Sequence, residues 1–363
     1  MSTYVVEKEA LEGNIRVIRE KADGVPVWAV LKGDGYGLGI VPMAKLLREQ
    51  GILRYCVTEV GEVRALRDAG FQEEKILMLR PTADRAEIEQ LLDLNAIFTV
   101  SSRDDAVALN GIAAARSTVA EAHIKIDTGM GRYGFLPGEM DKLVQVYQYM
   151  DSIAVSGVYT HFACAFCSRR KTEQQFERFQ NVLNQLAGRG FETGEVHCCN
   201  SSAFFRFPDM YLGGVRVGSA LLGRLSLRGS FGLQRVGWCE SAVGEIRWLP
   251  KGEGTGYGGA WRARKNTRLA IVPVGWYNGF GVEYGRDVFR LRDCLRGGLS
   301  YLKAWLTGKK LWVKINGQRC PVRGHVGMLH TAVDVTKTEC HAGDPAVLDI
   351  SPLFQKGMDI EYR

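Results

Sequence analysis

Short apolar runs alternate with longer amphipathic segments up to about residue 225, and this alternation predicts an α/β fold built on a (β/α)8 TIM-type barrel. After about residue 235 the segments become β-branched and alternate between apolar and polar residues, with glycine-rich turns between them. This second pattern predicts a mainly antiparallel β domain. We therefore expect a barrel over residues 1–235 and a C-terminal β domain over residues 236–363.

Eight apolar runs supply the predicted barrel strands, which is the number that a closed barrel of parallel strands requires. Segments with helical periodicity lie between many of them, most clearly at residues 59–68, 83–92, 140–150 and 171–186. The predicted strands are residues 27–31, 55–57, 76–79, 96–99, 123–126, 154–158, 196–198 and 214–217.

One segment of the C-terminal domain departs from the strand pattern. Apolar residues recur there at helical spacing, which predicts an amphipathic helix inserted near residues 288–308. The stretch from Arg286 to Lys310 carries seven basic and two acidic residues, and we interpret it as a solvated helical face. The apolar residues of the predicted helix are Leu291, Leu295, Leu299, Leu302, Trp305 and Leu306. The predicted strands of this domain are residues 242–249, 269–274, 311–315, 332–335 and 345–348.

Composition limits the class of protein. With 46% hydrophobic and 24% charged residues, the chain resembles ordinary globular proteins, and no apolar run is long enough to span a bilayer. The N-terminus lacks the basic start and apolar core of a signal peptide, so we expect a cytoplasmic protein with no membrane partner. The net charge of +7 accompanies no recognition motif or stacking platform, so no nucleic-acid partner is expected.

Nine cysteines are scattered through the chain, and this odd number argues against a disulfide framework. Cys164 and Cys167 have the spacing of a redox pair or of half a zinc site, but no second pair of this kind accompanies them. We therefore expect free thiols and no metal.

The segment VWAVLKGDGYGLG, residues 27–39, holds the first candidate for catalysis. The predicted strand delivers Lys32 into a loop with four glycines, whose backbone amides can approach a ligand closely. A lysine held against an apolar strand end loses hydration, which lowers its pKa and frees the amine to attack a carbonyl. Pyridoxal phosphate enzymes need such an amine. A solvated lysine before a flexible turn would give the same local pattern.

Polar residues also follow or end the later predicted strands. Arg132 follows the fifth strand, His161 the sixth and Ser201 the seventh, while Arg216 lies in the eighth. Active sites of (β/α)8 barrels lie at the C-terminal ends of the strands. Together with Lys32, these residues predict an anion-binding pocket that carries an amine.

From Tyr4 to about Asp349, the motifs resemble in this order those of alanine racemases, pyridoxal phosphate enzymes with a barrel and a β domain. The resemblance implies that Lys32 is the Schiff-base lysine of a loop usually written K-A-D-A-Y-G-H-G. It implies that Lys125 is a lysine often carried as a carbamate, which orients the substrate-carboxylate binder Arg132. The further cofactor contacts that it implies are Tyr36, Ser201, Gly218 and Ser219 at the phosphate, His161 beside the pyridine ring, Arg216 facing the pyridine nitrogen, and Asn200.

Residues 252–258 of the β domain, GEGTGYG, resemble a family segment written G-x-x-V-S-Y-G. The resemblance implies that Tyr257 is the second catalytic base, donated across the interface of a homodimer with shared active sites. It also implies that Met328 lies near a small amino-acid substrate. Residues 254–259 fit G-x-G-x-x-G as well, but without a strand–helix context we expect a hairpin turn rather than a dinucleotide site.

The implied reaction is racemisation by two bases, Lys32 and Tyr257, on opposite faces of the amino-acid Cα. An arginine cannot give up its proton, so Arg216 would leave the pyridine nitrogen unprotonated and the ring a weaker electron sink. A short-lived carbanion favours reprotonation over transamination. The ordinary tyrosine pKa of about 10 is too high for a base at neutral pH. We expect the charge of Arg216, relayed through His161, to stabilise the phenolate.

The sequence departs from the family pattern around the predicted pocket. Gly33 and Gly35 replace alanines, Leu38 replaces a histidine, and a methionine–aspartate pair is replaced by Met328 and Leu329. A G-Y-x-D-G segment reads GWYNG at residues 275–279, and the tyrosine segment that gates the pocket in relatives has no counterpart after residues 351–354. These departures leave the size of the substrate open.

We predict a homodimeric, pyridoxal phosphate-dependent racemase that interconverts L- and D-alanine for cell-wall precursors. A racemase for serine or another larger amino acid is the first alternative. A decarboxylase or aldolase on a similar barrel is the second, and the combination of Arg132 and Tyr257 argues against it. A single-barrel carrier of the cofactor is a non-enzymatic alternative, against which the β domain argues.

Overall fold

The computed structural model describes residues 2–283, 289–307 and 311–363. The chain divides into two compact units. One comprises Lys8–Val236, and the other comprises Gly237–Arg363 together with the N-terminal segment that ends at Glu7. The N-terminal segment forms the first strand, β1 (Thr3–Val6).

The first unit contains eight parallel strands in a single sheet, in the order β4-β3-β2-β9-β8-β7-β6-β5. A parallel bridge between Leu77 and Ile97 joins the two ends of this order and closes the barrel. The strands are β2 (Val27–Val30), β3 (Arg54–Val57), β4 (Lys75–Met78), β5 (Phe98–Val100), β6 (Ala120–Lys125), β7 (Ile153–Tyr159), β8 (Glu195–Cys199) and β9 (Gly214–Val217). All eight predicted barrel strands are confirmed, with small shifts at their ends.

Helices lie between successive barrel strands, and the four helices predicted from periodicity are among them. Their amphipathic faces bury apolar residues, such as Phe179 and Val182 of α8. The helices of this unit are α1 (Lys8–Ala22), α2 (Lys32–Gly37), α3 (Ile40–Glu49), α4 (Val60–Asp68), α5 (Arg85–Asp93), α6 (Arg103–Ala115), α7 (Met140–Tyr149), α8 (Arg169–Ala187) and α9 (Ser201–Arg206).

The barrel interior contains an apolar cluster and several buried polar side chains. An apolar cluster is formed by Trp28, Val30, Cys56, Leu77 and Ile97. The ring of His197 stacks between Trp28, at a centroid distance of 5.8 Å, and Tyr159, at 5.0 Å. Buried polar groups need hydrogen-bond partners, and the partners of His197 lead to the candidate site.

The second unit consists mainly of antiparallel strands. Its sheets have the orders β16-β15-β18-β10-β1-β19, β11-β14-β17 and β12-β13. Only the pairing of β1 with β19 is parallel among the strand pairs described in this unit. The strands after the barrel are β10 (Trp238–Ala242), β11 (Glu245–Leu249), β12 (Gly254–Thr255), β13 (Trp261–Arg262), β14 (Thr267–Val272), β15 (Trp312–Ile315), β16 (Gln318–Pro321), β17 (Thr331–Asp334), β18 (Pro345–Leu348) and β19 (Asp359–Tyr362).

The placement of β1 corrects the domain assignment made from the sequence. We expected residues 1–235 to form the barrel, but β1 pairs antiparallel with β10 and parallel with β19 in the second unit. Tyr4 is fully buried there, and its hydroxyl donates to the carbonyl oxygen of Ile350 at 3.1 Å. Partners this distant in the chain leave no local signal in the sequence.

The inserted helix is confirmed as α10 (Leu291–Leu306), and none of its residues is buried. The outer ends of the predicted range, residues 288 and 308, lie outside the described residues, as do Arg286, Lys309 and Lys310. Within the described part of the chain, no helix is long and apolar enough to cross a membrane.

Candidate active site

The barrel unit contains a cavity of about 430 Å³ at the C-terminal ends of its strands. The cavity brings together all of the site residues that the sequence predicted in this unit. These residues are Lys32, Tyr36, Lys125, Arg132, His161, Asn200, Ser201, Arg216, Gly218 and Ser219.

Lys32 enters the cavity because the chain after β2 makes a left-handed turn. Gly33, Asp34, Gly35 and Tyr36 all have positive φ, between 52° and 66°. Left-handed backbone conformations are unfavourable for residues that carry a Cβ, whereas glycine adopts them without this steric cost. The carboxylate of Asp34 closes the turn by accepting from the backbone N–H of Ile40 at 2.8 Å. The turn presents Lys32 and Tyr36 to the same cavity.

The surroundings of Lys32 make its amine more available as a nucleophile. Partial burial lowers the pKa of Lys32, and the nearby charge of Arg132 lowers it further, while Glu62 opposes both effects. A lysine of lowered pKa is more often unprotonated near neutral pH.

Tyr36, Gly218 and Ser201 form a small polar cradle. The hydroxyl of Ser201 accepts from the backbone N–H of Gly218 at 3.0 Å. A Cβ on Gly218 would lie 2.2 Å from the hydroxyl oxygen of Tyr36, so only glycine permits this approach. Hydroxyl and backbone groups gathered in this way are suited to the oxygens of an anion.

Arg132 is held by a loop organised around Asp127. One carboxylate oxygen of Asp127 accepts from the backbone N–H groups of Gly129, Met130 and Gly131, and the other accepts from that of Arg132 at 3.0 Å. Burial alone would raise the pKa of Asp127, but these four donors hold it below its usual range. Asp127 is therefore an ionised support for the loop, and its carboxylate is occupied by backbone donors.

Lys125 is buried at the end of β6 with few groups to stabilise its charge. Burial lowers its pKa to about 8, with further contributions from the charges of Arg132 and Arg216. Its ammonium lies 5.6 Å from the centre of the Tyr159 ring, and the guanidinium of Arg216 lies 4.9 Å from the same ring. A substantial fraction of the Lys125 amine is neutral at slightly alkaline pH.

Arg216 is positioned by a chain of buried imidazoles. Its Nη1 donates to Nδ1 of His197, whose Nε2 lies 2.9 Å from Nδ1 of His123. Because arginine can only donate, the proton of neutral His197 is on Nε2 and that of His123 is also on Nε2. Burial lowers the pKa of His123 to about 3, and it holds the pKa of His197 well below its usual range. Both rings are therefore neutral, and the charge of Arg216 is retained on the guanidinium.

His161 and Asn200 support the rim of the cavity. Nδ1 of His161 lies 3.5 Å from Nη2 of Arg216, and burial, followed by the charge of Arg216, keeps its pKa well below the usual range. The side chain of Asn200 accepts from the backbone N–H of Ala203 at the start of α9 and donates to the carbonyl oxygen of Phe162. Asn200 therefore ties two cavity loops together.

The cavity is strongly cationic. In the described part of the chain, no salt bridge joins a carboxylate to Lys32, Lys125, Arg132 or Arg216. A further cation in the lining, Arg80, differs because it pairs with Glu87 at 2.8 Å. The site therefore has a net positive charge that favours the binding of anionic groups.

Sequence analysis missed several cavity residues. They are Thr58, Arg80, Met130, Tyr133, Tyr159 and Ser202. Thr58 and Arg80 lie just after β3 and β4, so the strand-end rule that identified Lys32 would also have found them. Tyr159 ends β7, where its hydroxyl lies 2.9 Å from that of Thr99.

Two predicted site residues lie in the second unit. Tyr257 occupies a turn between β12 and β13, which pair antiparallel, so the predicted hairpin at residues 254–259 is confirmed. Its side chain is 79% exposed within the chain. Met328 is 48% exposed, and its carbonyl oxygen accepts from the backbone N–H of Tyr277. The site roles of Tyr257 and Met328 remain predictions.

The nine cysteines are all free thiols. Cys164 and Cys167 lie in the loop between β7 and α8, where the backbone N–H of Cys167 donates to the carbonyl oxygen of Cys164 at 3.0 Å. The described residues contain no cluster of three or more His, Cys, Asp or Glu side chains that could hold a metal.

Fold and site together define a class of barrel enzyme with a cationic, amine-bearing pocket. Models of the alanine racemase N-terminal and C-terminal domains match residues 6–226 and 236–356 of this chain. The chain belongs to the alanine racemase family, and the resemblance predicted from its motifs is confirmed.

Individual relatives agree with this assignment. The alanine racemase of Desulforamulus reducens is 33% identical over 283 residues, covering 76% of each chain. That of Methylacidiphilum infernorum is 30% identical over 349 residues, covering 94% of this chain and 82% of the relative. A solved alanine racemase structure from Clostridium difficile 630 has a TM-score of 0.81 at 26% identity, covering 99% of this chain and 88% of that one.

Proposed function

We propose that this enzyme interconverts L- and D-alanine with pyridoxal phosphate, using Lys32 and Tyr257 as the two bases. The observation that carries the proposal is the convergence of a lysine of lowered pKa, a polar cradle and uncompensated cations in one cavity. An amine for a carbonyl, a site for a phosphate and a site for a carboxylate are the three requirements of an amino-acid-binding pyridoxal phosphate site.

The residues of the cavity fit the cofactor. Ser201, Gly218 and Ser219 would hold the phosphate together with Tyr36, because the Tyr36 hydroxyl reaches the cradle only beside a glycine at 218. Arg216 would face the pyridine nitrogen. When bound, the cofactor withdraws electrons from the amino-acid Cα and so acidifies its C–H bond.

Arg216 would set the outcome of the reaction through its own protonation. Its guanidinium keeps its protons, because arginine is a much stronger base than a pyridine nitrogen, so Arg216 would donate a hydrogen bond to that nitrogen without protonating it. With its nitrogen unprotonated, the cofactor would supply weaker electron withdrawal. Arg216 would thereby favour return of a proton to Cα over transamination.

Two bases would then exchange that proton on opposite faces. The amine of Lys32 takes or returns it on one face, and the phenolic oxygen of Tyr257 does so on the other. The exposure of Tyr257 suits a residue that is presented to the active site of a second subunit. We therefore include a homodimer with shared active sites in the proposal.

The substrate carboxylate would bind Arg132, which the Asp127 loop holds at the cavity. A carbamate on Lys125 would place a negative group near Arg132 and Arg216, whose charges both act on Lys125, and would orient Arg132. The pKa of Lys125 near 8 supports this modification, because only the neutral amine reacts with carbon dioxide. The nine free cysteines fit a reducing compartment, so we place the reaction in the cytoplasm, where it would supply D-alanine for cell-wall precursors.

The first test is identification of the cofactor lysine. Purified protein loaded with pyridoxal phosphate should be yellow, and borohydride should fix the cofactor to the peptide containing Lys32. Lys32→Ala should lose both the fixation and racemisation of alanine. Lys8→Ala, in a helix outside the cavity, is the matched control and should retain both. Fixation at another lysine would overturn the assignment.

The second test addresses the shared site. Lys32→Ala and Tyr257→Ala should each be nearly inactive as homodimers. After co-refolding, some mixed dimers should contain one intact site and one doubly damaged site, so activity should return. Gel filtration of the mixture verifies that dimers have formed. If the dimeric mixture stayed as inactive as its parents, both bases would belong to one subunit.

A further inference from the structure

Helix α10 in the second unit presents a wholly apolar face that no part of the described chain covers. Its six large apolar residues, from Leu291 to Leu306, are between 52% and 78% exposed. At about 100° per residue they occupy an arc of roughly 120° on one side of the helix. Monomeric proteins rarely expose an apolar surface of this extent, and such surfaces mark interaction sites.

We expect helix α10 to have little stability as an isolated helix. It has 16 residues and contains two adjacent glycines, Gly297 and Gly298. Isolated helices of this length are marginal in water, and most helical stability in proteins comes from covering an amphipathic face. The surface that covers α10 therefore determines whether the helix is stable.

Positive charge lies directly beside the apolar arc. Arg292, Arg296 and Lys303 follow it along one edge at helical spacing. The acidic residue of the helix, Asp293, lies away from the arc and pairs with Arg290 at 2.9 Å. Two further lysines, Lys309 and Lys310, follow in the sequence. Neither edge of the arc offers a carboxylate that could pair with these cations in a second copy of the helix.

We propose that α10 docks this enzyme on the surface of a membrane that contains anionic lipids. An apolar face with leucine and tryptophan and a cationic edge are the two features that hold a helix in the plane of the lipid headgroups. Trp305 supplies the interfacial aromatic residue, while Arg292, Arg296 and Lys303 meet the lipid phosphates. The helix lies on the membrane and does not cross it. This proposal differs from the sequence-based expectation that the protein has no membrane partner.

The test uses the full-length protein and sealed vesicles. Flotation should recover the enzyme with vesicles of phosphatidylcholine and phosphatidylglycerol, and much less with phosphatidylcholine alone. Added salt should weaken the binding because the cations contribute to it. The fluorescence of the parent should shift to the blue on addition of the anionic vesicles, and Trp305→Phe should lose most of this shift.

Variants of α10 separate the contribution of its apolar arc to vesicle binding from that of its cationic edge. A Leu295→Glu/Leu302→Glu double variant should bind anionic vesicles at least about tenfold more weakly, because it places charge in the apolar arc. Arg292→Gln/Arg296→Gln/Lys303→Gln should lose binding to a similar extent and with it the salt dependence. Trp248→Glu is the matched control, since Trp248 is an exposed aromatic residue of strand β11, outside α10. It should bind like the parent. Circular dichroism and thermal unfolding verify that each variant is folded.

Two outcomes would overturn the proposal. One is equal flotation of the parent and the double glutamate variant with anionic vesicles. The other is failure of the parent to float with these vesicles; a smaller oligomer for the double glutamate variant in sedimentation velocity would then show that a second copy covers the helix. These measurements do not depend on racemase activity, so they are independent of the proposed function.

Discussion

Arg216 donates a hydrogen bond to Nδ1 of His197 inside the barrel, where both side chains are buried. The carbonyl oxygens of Thr160 and His197 accept further hydrogen bonds from the same guanidinium, at 2.6 and 3.1 Å. The direction of these bonds is fixed because arginine has no acceptor. The end of the site at which we place the pyridine nitrogen therefore carries a fixed positive charge.

Replacing that charge by a carboxylate should change the products of the reaction. In Arg216→Glu the ring nitrogen would have an acceptor for its proton, so the protonated ring would withdraw electrons more strongly. Transamination, measured as pyruvate formed from alanine, should rise relative to racemisation. Arg216→Lys retains the charge and should keep the parent's product ratio. An unchanged ratio in a folded Arg216→Glu enzyme would make Arg216 a structural residue only.

The left-handed turn after Lys32 predicts the effect of restoring the family alanine at position 33. Gly33 has a φ of 66° with no atom within 4 Å of an added Cβ, so Gly33→Ala meets backbone strain without a clash. Its free energy of unfolding should fall by about 1–2 kcal/mol, measured by denaturant titration of the cofactor-free protein. Gly111→Ala, in the middle of α6 with open space around it, should instead gain roughly 0.5–1 kcal/mol. A Gly33→Ala protein as stable as the parent would contradict the strain.

The buried imidazoles predict a loss of stability in acid. The pKa of folded His123 is about 3, against 6.5 for an ordinary histidine, and that of His197 is also lowered. Below pH 6.5 these histidines become protonated in the unfolded chain but stay neutral in the folded chain. The free energy of unfolding therefore has its full value above that pH and falls as the pH drops. Each histidine contributes a slope of about 1.4 kcal/mol per pH unit.

Denaturant titrations from neutral pH to about pH 4 measure this slope. His123→Gln should have a lower free energy of unfolding than the parent at neutral pH. Its slope against pH should be smaller by the contribution of one histidine, about 1.4 kcal/mol per pH unit. His341→Gln is the control, because the ring of His341 is exposed and should stay in solvent in both states. Identical slopes for the parent and His123→Gln would show that His123 takes up its proton in the folded protein.

Carbamylation of Lys125 is testable by its pH dependence. The neutral amine attacks carbon dioxide to form a carbamate and release a proton, so occupancy should rise from pH 7 through the pKa near 8. Carbon-13 NMR of enzyme in labelled bicarbonate should show one carbamate resonance that Lys125→Ala lacks. That variant should also have a higher KM for alanine, because Arg132 loses the group that orients it. A resonance that persists in Lys125→Ala would place the modification elsewhere.

Local periodicity was sufficient to predict the eight barrel strands and α10, since each is a short segment with its own apolar pattern. The rule that active sites of (β/α)8 barrels lie at the C-terminal ends of the strands then predicted one pocket for Lys32, His161 and Arg216, and all three line the same cavity. The pairing of β1 with β10 and β19 was not predictable, because it joins residues more than two hundred positions apart. The hydrogen-bonded chain from Arg216 through His197 to His123 was also not predicted. It depends on which side chains of three strands point inward at the same level of the barrel.

The departures from the family pattern bear on which amino acids the enzyme accepts as substrates. The resemblance to the family motifs implies an alanine where this chain has Gly33 and a carboxylate near the substrate where it has Leu329. A Cβ on Gly35 would face Met43 and Ile40 rather than the cavity, so we base the expectation on Gly33 and Leu329. One methylene in a pocket changes discrimination by only about 1–3 kcal/mol, so a modest enlargement is sufficient to admit a larger side chain. We therefore expect measurable racemisation of serine or another amino acid larger than alanine, with alanine still a substrate.

An assay of kcat/KM over a panel of enantiopure amino acids measures this range. Leu329→Asp introduces the carboxylate that the resemblance implies and should narrow the range toward alanine. Leu53→Asp, at a similarly exposed leucine just before β3, should leave the range unchanged. Background turnover of every larger amino acid by the parent would show that these substitutions do not enlarge the pocket.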